Sequence, residues 1–146
     1  MTEKSDVRIG GKDGEFVSVR RITRTNSEGW FNAEVEVQCD GWRGKIRASF
    51  MRGELARFAE EIRILHEELA GEARLEPLEP YLTLSFSGDG KGHIKVGGTA
   101  ENHLGSGTKL LFWLEVDQTY LPAIAKAFRD ADAREQIHTQ AESGSI

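Results

Sequence analysis

The sequence has a single cysteine, Cys39, among its 146 residues, so it cannot form an intramolecular disulfide. This composition is typical of a protein in a reducing compartment. No apolar run is long enough to span a bilayer, and the first residues, MTEKSDV, lack the apolar stretch of a secretory signal. We therefore expect a cytoplasmic protein that does not insert into a membrane.

Positive charge is scarce as well, because 19 lysines and arginines face 24 aspartates and glutamates, a net charge of −5. Binding to nucleic-acid backbones depends on lysine and arginine side chains that neutralise phosphates. We therefore predict no nucleic-acid partner. An acidic chain instead suits a basic protein partner, or its charge simply keeps the domain soluble.

The motifs of common catalytic and metal sites are missing. No two histidines have the short spacing of a metal site, and one cysteine cannot complete such a site. There is no Gly-x-Ser-x-Gly elbow, and the segment SGDGKG, residues 87–92, lacks the spacing of a phosphate-binding loop. We interpret that segment as a turn between two strands. The sequence therefore predicts no enzyme, no cofactor and no metal ion.

The first half of the chain contains a predicted hairpin, and the residues that its two strands would pair can be compared. The segment WFNAEVEVQC alternates with period two, Asp40-Gly41 follows as a two-residue turn, and WRGKIRASF alternates again. If Cys39 faces Trp42, apolar or small residues share one face of the hairpin and polar residues share the other. Two pairs of opposite charge then meet on the polar face: Glu36 with Lys45, and Glu34 with Arg47.

Two segments have helical periodicity. Residues 52–71 carry an apolar stripe, and Gly71 is expected to end this helix. The second segment is DQTYLPAIAKAFRDAD, residues 117–132. Thr119 is its expected N-cap, and Pro122 lies in its first turn. The strand between them, TKLLFWLEV, is apolar on nearly every side, so we expect it to be central or covered on both faces.

Together these elements predict an α+β domain. Its mostly antiparallel sheet has about six to seven strands, with two helices packed on it, in the order strands, helix, strands, helix. We expect one domain over residues 7–132. Residues 1–6 and 133–146 are polar and lack periodicity, so we expect them to be flexible tails.

The three tryptophans differ in their predicted environments. Trp42 lies on the apolar face of the hairpin, opposite the small buried Cys39, and is expected in the core or at its rim. Trp113 has the opposite parity to its apolar neighbours and is expected to pack against a second layer. Trp30 falls on the polar face, so another part of the chain, a second copy or a partner must cover it. Trp30 is therefore a candidate partner-binding residue.

Glutamates are concentrated in the first helix and the segment after it. Such a cluster is a solvated surface, a docking surface for a basic protein, or an acid–base site if two carboxylates are held in a cleft. We take six of these residues as candidate partner-binding residues: Glu60, Glu61, Glu67, Glu68, Glu72 and Glu76.

Four segments, in this order, resemble the WapI-like immunity proteins and related bacterial domains of unassigned function. They are GWFNAEVEVQCDGWRGKIRASF, GELARFAEEIRIL, YLTLSF and LLFWLEVDQTYLPAIAKAF. The element from Asp117 to Leu121 is the most distinctive local match. The resemblance implies a cytoplasmic bacterial protein that blocks a toxin by binding it, and it supplies no catalytic residue.

The leading hypothesis is therefore a non-enzymatic protein-binding domain, an immunity protein that neutralises a cognate toxin, with a basic protein toxin as partner. The alternative is a small-ligand-binding domain, with Trp30 and Trp113 as candidate lining of its pocket. The oligomeric state stays open, and a homodimer is among the options.

Overall fold

The computed structural model of the protein describes residues 6–10 and 14–135. Along the chain they form β1 (Val7–Gly10), β2 (Phe16–Arg21), β3 (Trp30–Cys39), β4 (Trp42–Met51), α1 (Glu54–Glu68), β5 (Ala70–Leu75), β6 (Leu82–Asp89), β7 (His93–Glu101), β8 (Lys109–Asp117) and α2 (Leu121–Ala133). Strands β1–β4 form one antiparallel sheet in sequential order, sheet 1, and strands β5–β8 form a second, sheet 2. The predicted α+β class is confirmed. The predicted strand count was low, since the structure has eight strands, and they form two sheets.

The strand β5 occupies the segment after α1, where no strand was predicted. Only two of its side chains, Ala73 and Leu75, are buried, which is too short a pattern to recognise. The helix also ends earlier than expected. Leu69, with φ of 64°, is its left-handed C-cap, so Gly71 lies in β5 and does not end the helix.

The β3–β4 hairpin has the predicted register along its whole length, with Cys39 opposite Trp42. Asp40 and Gly41 form the two-residue loop, with φ of 51° and 81°. Both values lie in the left-handed region that this type of turn requires. Local turn chemistry and alternation therefore determined this element fully.

The two glutamates of the hairpin's polar face pair with other residues than the ones directly opposite. Glu36 contacts Arg43 at 2.7 Å, and Glu34 contacts Arg20 of the neighbouring strand β2 at 2.9 Å. The expected ion pairs are therefore absent, although the register is right. Two exposed cations of β4 are left without an ion pair among residues 6–10 and 14–135: Lys45 and Arg47.

Strand β8 departs from the prediction. It is an edge strand of sheet 2 and pairs with β7, whereas its apolar sequence suggested a central or doubly covered strand. Leu111 and Trp113 on its outer face are 63% and 59% exposed. Trp113 does not pack against a second layer. Its ring lies over Gly97 of β7, where an added Cβ atom would come within 2.4 Å of the ring. The SGDGKG segment does join two strands, β6 and β7, as predicted.

Both helices turn their predicted apolar stripes toward one core. In α1 the buried residues are Leu55, Phe58, Ala59, Ile62 and Leu65. Leu69, also expected on this stripe, is exposed at the end of the helix. Phe58 packs edge to face against Phe86 of β6 and Phe128 of α2, with ring centroids 5.3 Å and 5.1 Å apart. The core cluster includes side chains from all eight strands and both helices.

The N-terminus of α1 is capped by a residue of α2. The carboxylate of Asp132, 6% exposed, accepts hydrogen bonds from the backbone N–H groups of Gly53, Leu55 and Ala56, each at 3.0 Å. The N-cap residue of α1 is Gly53, which has no side chain to satisfy these donors. Asp132 therefore joins the end of one helix to the start of the other.

The C-terminus of α2 is capped in turn by Arg21 of β2. Its buried guanidinium donates to the carbonyl oxygens of Ala131 at 2.8 Å and Asp132 at 3.0 Å, and it lies 3.9 Å from the ring centroid of Phe31. Burial lowers the pKa of the Arg21 guanidinium from its ordinary value. A single 3-10 turn, Gln118–Tyr120, precedes α2, and Asp117 caps it by accepting the N–H of Thr119 at 3.0 Å. Helix α2 itself has no side-chain cap at its N-terminus, so the expected cap by Thr119 is wrong.

Most of the expected tails, residues 1–5 and 136–146, lie outside the described residues. Of the described ends, Asp6 accepts a hydrogen bond from the N–H of Arg21 at 2.6 Å and pairs with Arg134. Neither helix in the described part of the chain combines the length and apolar character needed to cross a bilayer.

Candidate functional site

The six candidate glutamates form a surface on α1, β5 and the residue after β5, which we call the acidic surface. Residues 54–76 contain seven glutamates and three arginines, a surplus of four negative charges in a chain of net charge −5. Because α1 turns its apolar stripe to the core, its glutamates face outward. Five of the six candidates are exposed and Glu61 is half-buried.

Arginines neutralise part of the acidic surface. Arg63 bridges Glu60, at 2.6 Å, and Glu67. The hydrogen bond from Arg63 lowers the pKa of the Glu60 carboxyl, and these glutamates raise the pKa of Arg63. Arg74 pairs with Glu72 at 2.8 Å. These pairs are exposed, so dissolved salt screens them and they add little to stability.

The remaining carboxylates are available to a partner. Glu68 and Glu76 have no ion pair within the part of the chain that the structure describes. Glu61 accepts the backbone N–H of Arg74 at 2.8 Å, which ties α1 to β5. Glu61, Glu72 and Glu76 line a depression of about 350 Å³ between these two elements. The structure thus brings these three candidates together, while the other three lie outside the depression.

Trp30 belongs to a different element from the acidic surface, since it is the first residue of β3 in sheet 1. Its side chain is half-buried. Its backbone N–H donates to the Asn26 side chain at 3.0 Å, and the N–H of Asn26 donates to its carbonyl oxygen at 2.8 Å. Met51 lies directly opposite. The turn before β3 therefore holds Trp30 in place.

Trp42 is 68% exposed, so the prediction of a core or core-rim position was wrong. The predicted parity is right, because Cys39 directly opposite is buried, at 4% exposure. Burial along β4 instead rises from the hairpin loop toward α1, and the loop end of its apolar face is left uncovered. Sequence alternation identifies a face but not how far that face is covered.

Trp42 borders a groove of about 520 Å³, which we call the Trp42 groove. One wall is the apolar face of β3 and β4, including Val37 and Ile46. The other wall comes from β7 and β8, including Ala100 and Leu110. No feature of the sequence pointed to this groove, because its two walls lie more than 50 residues apart in the chain.

Trp113 borders a separate depression of about 660 Å³ on sheet 2. Its ring centroid lies 4.6 Å from the ammonium group of Lys95, a cation–π contact. Asp89 and His93 also line the depression, with 3.2 Å between the carboxylate and the imidazole Nδ1. The backbone N–H of Lys91 holds the pKa of the Asp89 carboxyl below its usual value.

Within the described residues, one group has the geometry to hold a metal ion: Glu15, Cys39 and Asp40, with ligand atoms within 4.8 Å of one another. The Cys39 thiol donates to the carbonyl oxygen of Trp113 at 2.8 Å, and the N–H of Asp40 donates to Glu15 at 3.0 Å. Burial raises the pKa of the Cys39 thiol, which disfavours the thiolate that a metal ion needs. Hydrogen bonds account for this cluster, and we assign no metal to it.

The model of the Immunity protein WapI-like family matches residues 8–134. No curated protein matches the chain. The family match begins in β1 and ends just after α2, so it includes both sheets, both helices, the acidic surface and all three tryptophans. The chain therefore belongs to the WapI-like immunity protein family, the family that its sequence resembles.

Proposed function

We propose that this protein is an immunity protein that binds and neutralises a cognate toxin in the cytoplasm without catalysing a reaction. Membership of an immunity family supports the class of function. The structural observation that carries the choice of partner is the acidic surface, which concentrates the surplus negative charge of the chain on α1 and β5. That surface suits a basic protein toxin.

The mechanism needs only electrostatic and steric complementarity. A toxin that acts on nucleic acid carries lysines and arginines that neutralise phosphates. Carboxylates such as Glu68 and Glu76 would occupy those cations and keep the nucleic acid out. Opposite charge also speeds the encounter of the two proteins, an effect that salt weakens.

Co-expression with the product of the neighbouring open reading frame tests the function. We expect that product to stop growth when it is expressed alone, and we expect growth to return when this protein is expressed with it. A product that is harmless alone, or equally toxic in the presence of this protein, contradicts the proposal.

A pair of charge reversals tests the surface. We expect Glu68→Lys with Glu76→Lys to weaken toxin binding by at least about tenfold, because neither residue has an ion pair in the described structure. The matched control, Glu115→Lys with Asp130→Lys, changes the net charge equally at two exposed sites outside the acidic surface. Equal loss of affinity in both variants would mean that only net charge matters, and the assigned surface would be wrong.

Trp30 remains a proposed contact residue for the partner. It is half-buried at the end of a strand, so its removal leaves the core intact. We expect Trp30→Ala to reduce toxin affinity by about tenfold, as a central aromatic contact does, with an unchanged circular dichroism spectrum. Unchanged affinity would remove Trp30 from the interface.

Small-ligand binding is a second candidate function, favoured by one observation. The exposed Trp113 borders a depression with the polar side chains Asp89, His93 and Lys95. Titration with a panel of metabolites and nucleotides, followed by tryptophan fluorescence, tests this function. A response that Trp113→Phe abolishes supports it, and a panel without any response counts against it.

A further inference from the structure

Strand β4 has an open edge in the described structure. It is the outermost strand of sheet 1, it is ten residues long, and it pairs with β3 alone. Pairs in an antiparallel ladder alternate, and the pair that flanks a two-residue loop is hydrogen-bonded. Trp42 therefore turns its backbone groups toward β3, whereas Arg43, Lys45 and Arg47 turn theirs away. No described residue forms a hydrogen bond with those outward groups.

The same three residues place positive charge along this edge. Arg43, Lys45 and Arg47, which we call the basic edge, are all exposed. Arg43 forms an ion pair with Glu36 of β3, and the other two have no ion pair in residues 6–10 and 14–135. Three exposed cations in a row, two of them without an ion pair in the described structure, stand out in a chain of net charge −5. They suit an anionic partner.

The other face of β4 is apolar and is open at its loop end, where Trp42 is exposed and Ile46 is half-buried. Trp42 and Ile46 alternate with the basic edge and border the Trp42 groove. Cations on an edge strand can serve to repel the strands of other molecules. A tryptophan that is 68% exposed beside an apolar groove has the opposite effect, because large aromatic side chains anchor interfaces. The edge of β4 therefore has the features of a binding surface for a complementary partner and not only those of a protected edge.

Strand β3 shows which sequence complements β4. Its central residues, Glu34 to Val37, place glutamates on the face of the basic edge and valines on the face of Trp42. These glutamates pair with Arg20 and Arg43, which leaves Lys45 and Arg47 for another strand. The open side of β4 presents the same two faces to a new strand. An added strand of the same alternating type would bring carboxylates to Lys45 and Arg47 and apolar side chains to the Trp42 groove.

We propose that the open edge of β4 binds an extended acidic segment of a partner protein, which adds to sheet 1 as a fifth strand. Its carboxylates pair with the basic edge, and its alternate apolar residues enter the Trp42 groove. Single-stranded nucleic acid is the competing occupant, because Arg43, Lys45 and Lys109 border the groove together with Trp42. It fits less well than an extended peptide, because a nucleic-acid backbone has no alternating N–H and C=O groups to pair with the open backbone of β4. This surface is distinct from the acidic surface and does not depend on the proposed function.

A synthetic peptide with the sequence NAEVEVQ, copied from residues 32–38, is the probe. We expect it to shift the amide resonances of residues 43–47 in the isotope-labelled protein, with saturation below about 1 mM. The charge-swapped peptide NAKVKVQ is the matched control, and we expect it to bind at least about tenfold more weakly. Added salt should weaken binding of the acidic peptide, because the contacts are exposed.

Variants locate the contact. Lys45→Glu with Arg47→Glu should weaken peptide binding by at least about tenfold, while Lys91→Glu with Arg129→Glu, an equal change of charge elsewhere, should leave it within about twofold. Trp42→Ala should also weaken binding by about tenfold. Its control is Trp113→Ala, which removes another exposed tryptophan, from the other sheet.

Four outcomes overturn the proposal. The first is no shift of residues 43–47 at about 1 mM peptide, and the second is equal binding of the two peptides. The third is an equal effect of the two tryptophan variants, provided that their spectra remain those of a folded protein. The fourth is tighter binding of an oligothymidine than of the acidic peptide, which would assign the edge to single-stranded nucleic acid.

Discussion

Asp132 links the two helices through a single side chain. Its buried carboxylate accepts three backbone N–H groups at the start of α1, and no other side chain caps them. We expect Asp132→Ala to lower the free energy of unfolding by about 2–3 kcal/mol, since it leaves those donors unsatisfied in a partly buried place.

Urea unfolding followed by circular dichroism measures this loss. Asp130→Ala on the same helix is the control, because Asp130 is exposed and makes one ion pair, with Lys126. We expect a much smaller change for the control. Equal losses in the two variants would show that Asp132 does not act as a cap for α1.

Cys39 should be unreactive in the folded protein. Burial raises the pKa of its thiol above that of the unfolded chain, so less of the reactive thiolate forms at a mildly alkaline pH. We expect slow reaction with a disulfide reagent at that pH in the folded state, and fast reaction after unfolding. Equal rates in the two states would contradict the raised pKa.

The same shift links the thiol to stability at alkaline pH. The folded state holds the Cys39 proton more tightly than the unfolded state does. The contribution to stability is therefore complete below the unfolded pKa and declines as pH rises from there through the folded pKa. Replacement by alanine should remove this part of the pH dependence from an unfolding series.

The β3–β4 hairpin is the element that its own sequence specifies most completely. Asp40-Gly41 needs positive φ at both positions, and the flanking alternation allows one register only. We expect Gly41→Ala to destabilise the protein by about 1 kcal/mol, measured by urea unfolding. The cause is conformational alone, because an added Cβ atom at Gly41 meets nothing within 4 Å.

Gly14→Ala is the matched control for that substitution. An added Cβ atom at Gly14 also meets nothing within 4 Å, and its φ lies outside the left-handed region. Alanine there should be neutral or slightly stabilising, since it restricts the unfolded chain. A similar loss of stability at both glycines would argue against the strained turn as the cause.

The sequences of the edge strands do not show which of their faces and edges are covered. Alternation in β4 and β8 correctly separates two faces of each strand. It does not show that the loop end of β4 lies uncovered, or that β8 has no neighbour beyond β7 among the described strands. Trp42 and Trp113 were therefore placed in covered positions, and both proved to be exposed.

At the scale of the whole molecule, we propose that residues 7–132 fold as one cooperative unit. The two sheets share a continuous core through both helices, and Phe58 of α1 contacts Phe86 of sheet 2 and Phe128 of α2. We expect one unfolding transition, because neither sheet can keep its buried face covered without the rest.

The tryptophans allow each sheet to be followed separately. A variant with Trp113→Phe reports on sheet 1 through Trp30 and Trp42, and a variant with those two replaced reports on sheet 2. In each variant, we expect the urea midpoint measured by fluorescence to coincide with the midpoint measured by circular dichroism. Separate midpoints within a variant would show that the sheets unfold independently and would contradict a single domain.

The properties that depend on neighbours in the chain could be predicted from the amino-acid sequence. These include the hairpin register, the buried stripes of both helices, the α+β class and the outward position of the glutamates on α1. The tertiary structure alone decided which glutamates are paired, which tryptophans are exposed and how the helix ends are capped. Asp132 caps a backbone N–H 79 residues away, and Arg21 reaches a carbonyl oxygen 110 residues away. Periodicity shows which side of a strand or helix faces inward. Whether that side is covered depends on segments that are distant in sequence. Local patterns do not encode where those segments lie in the fold.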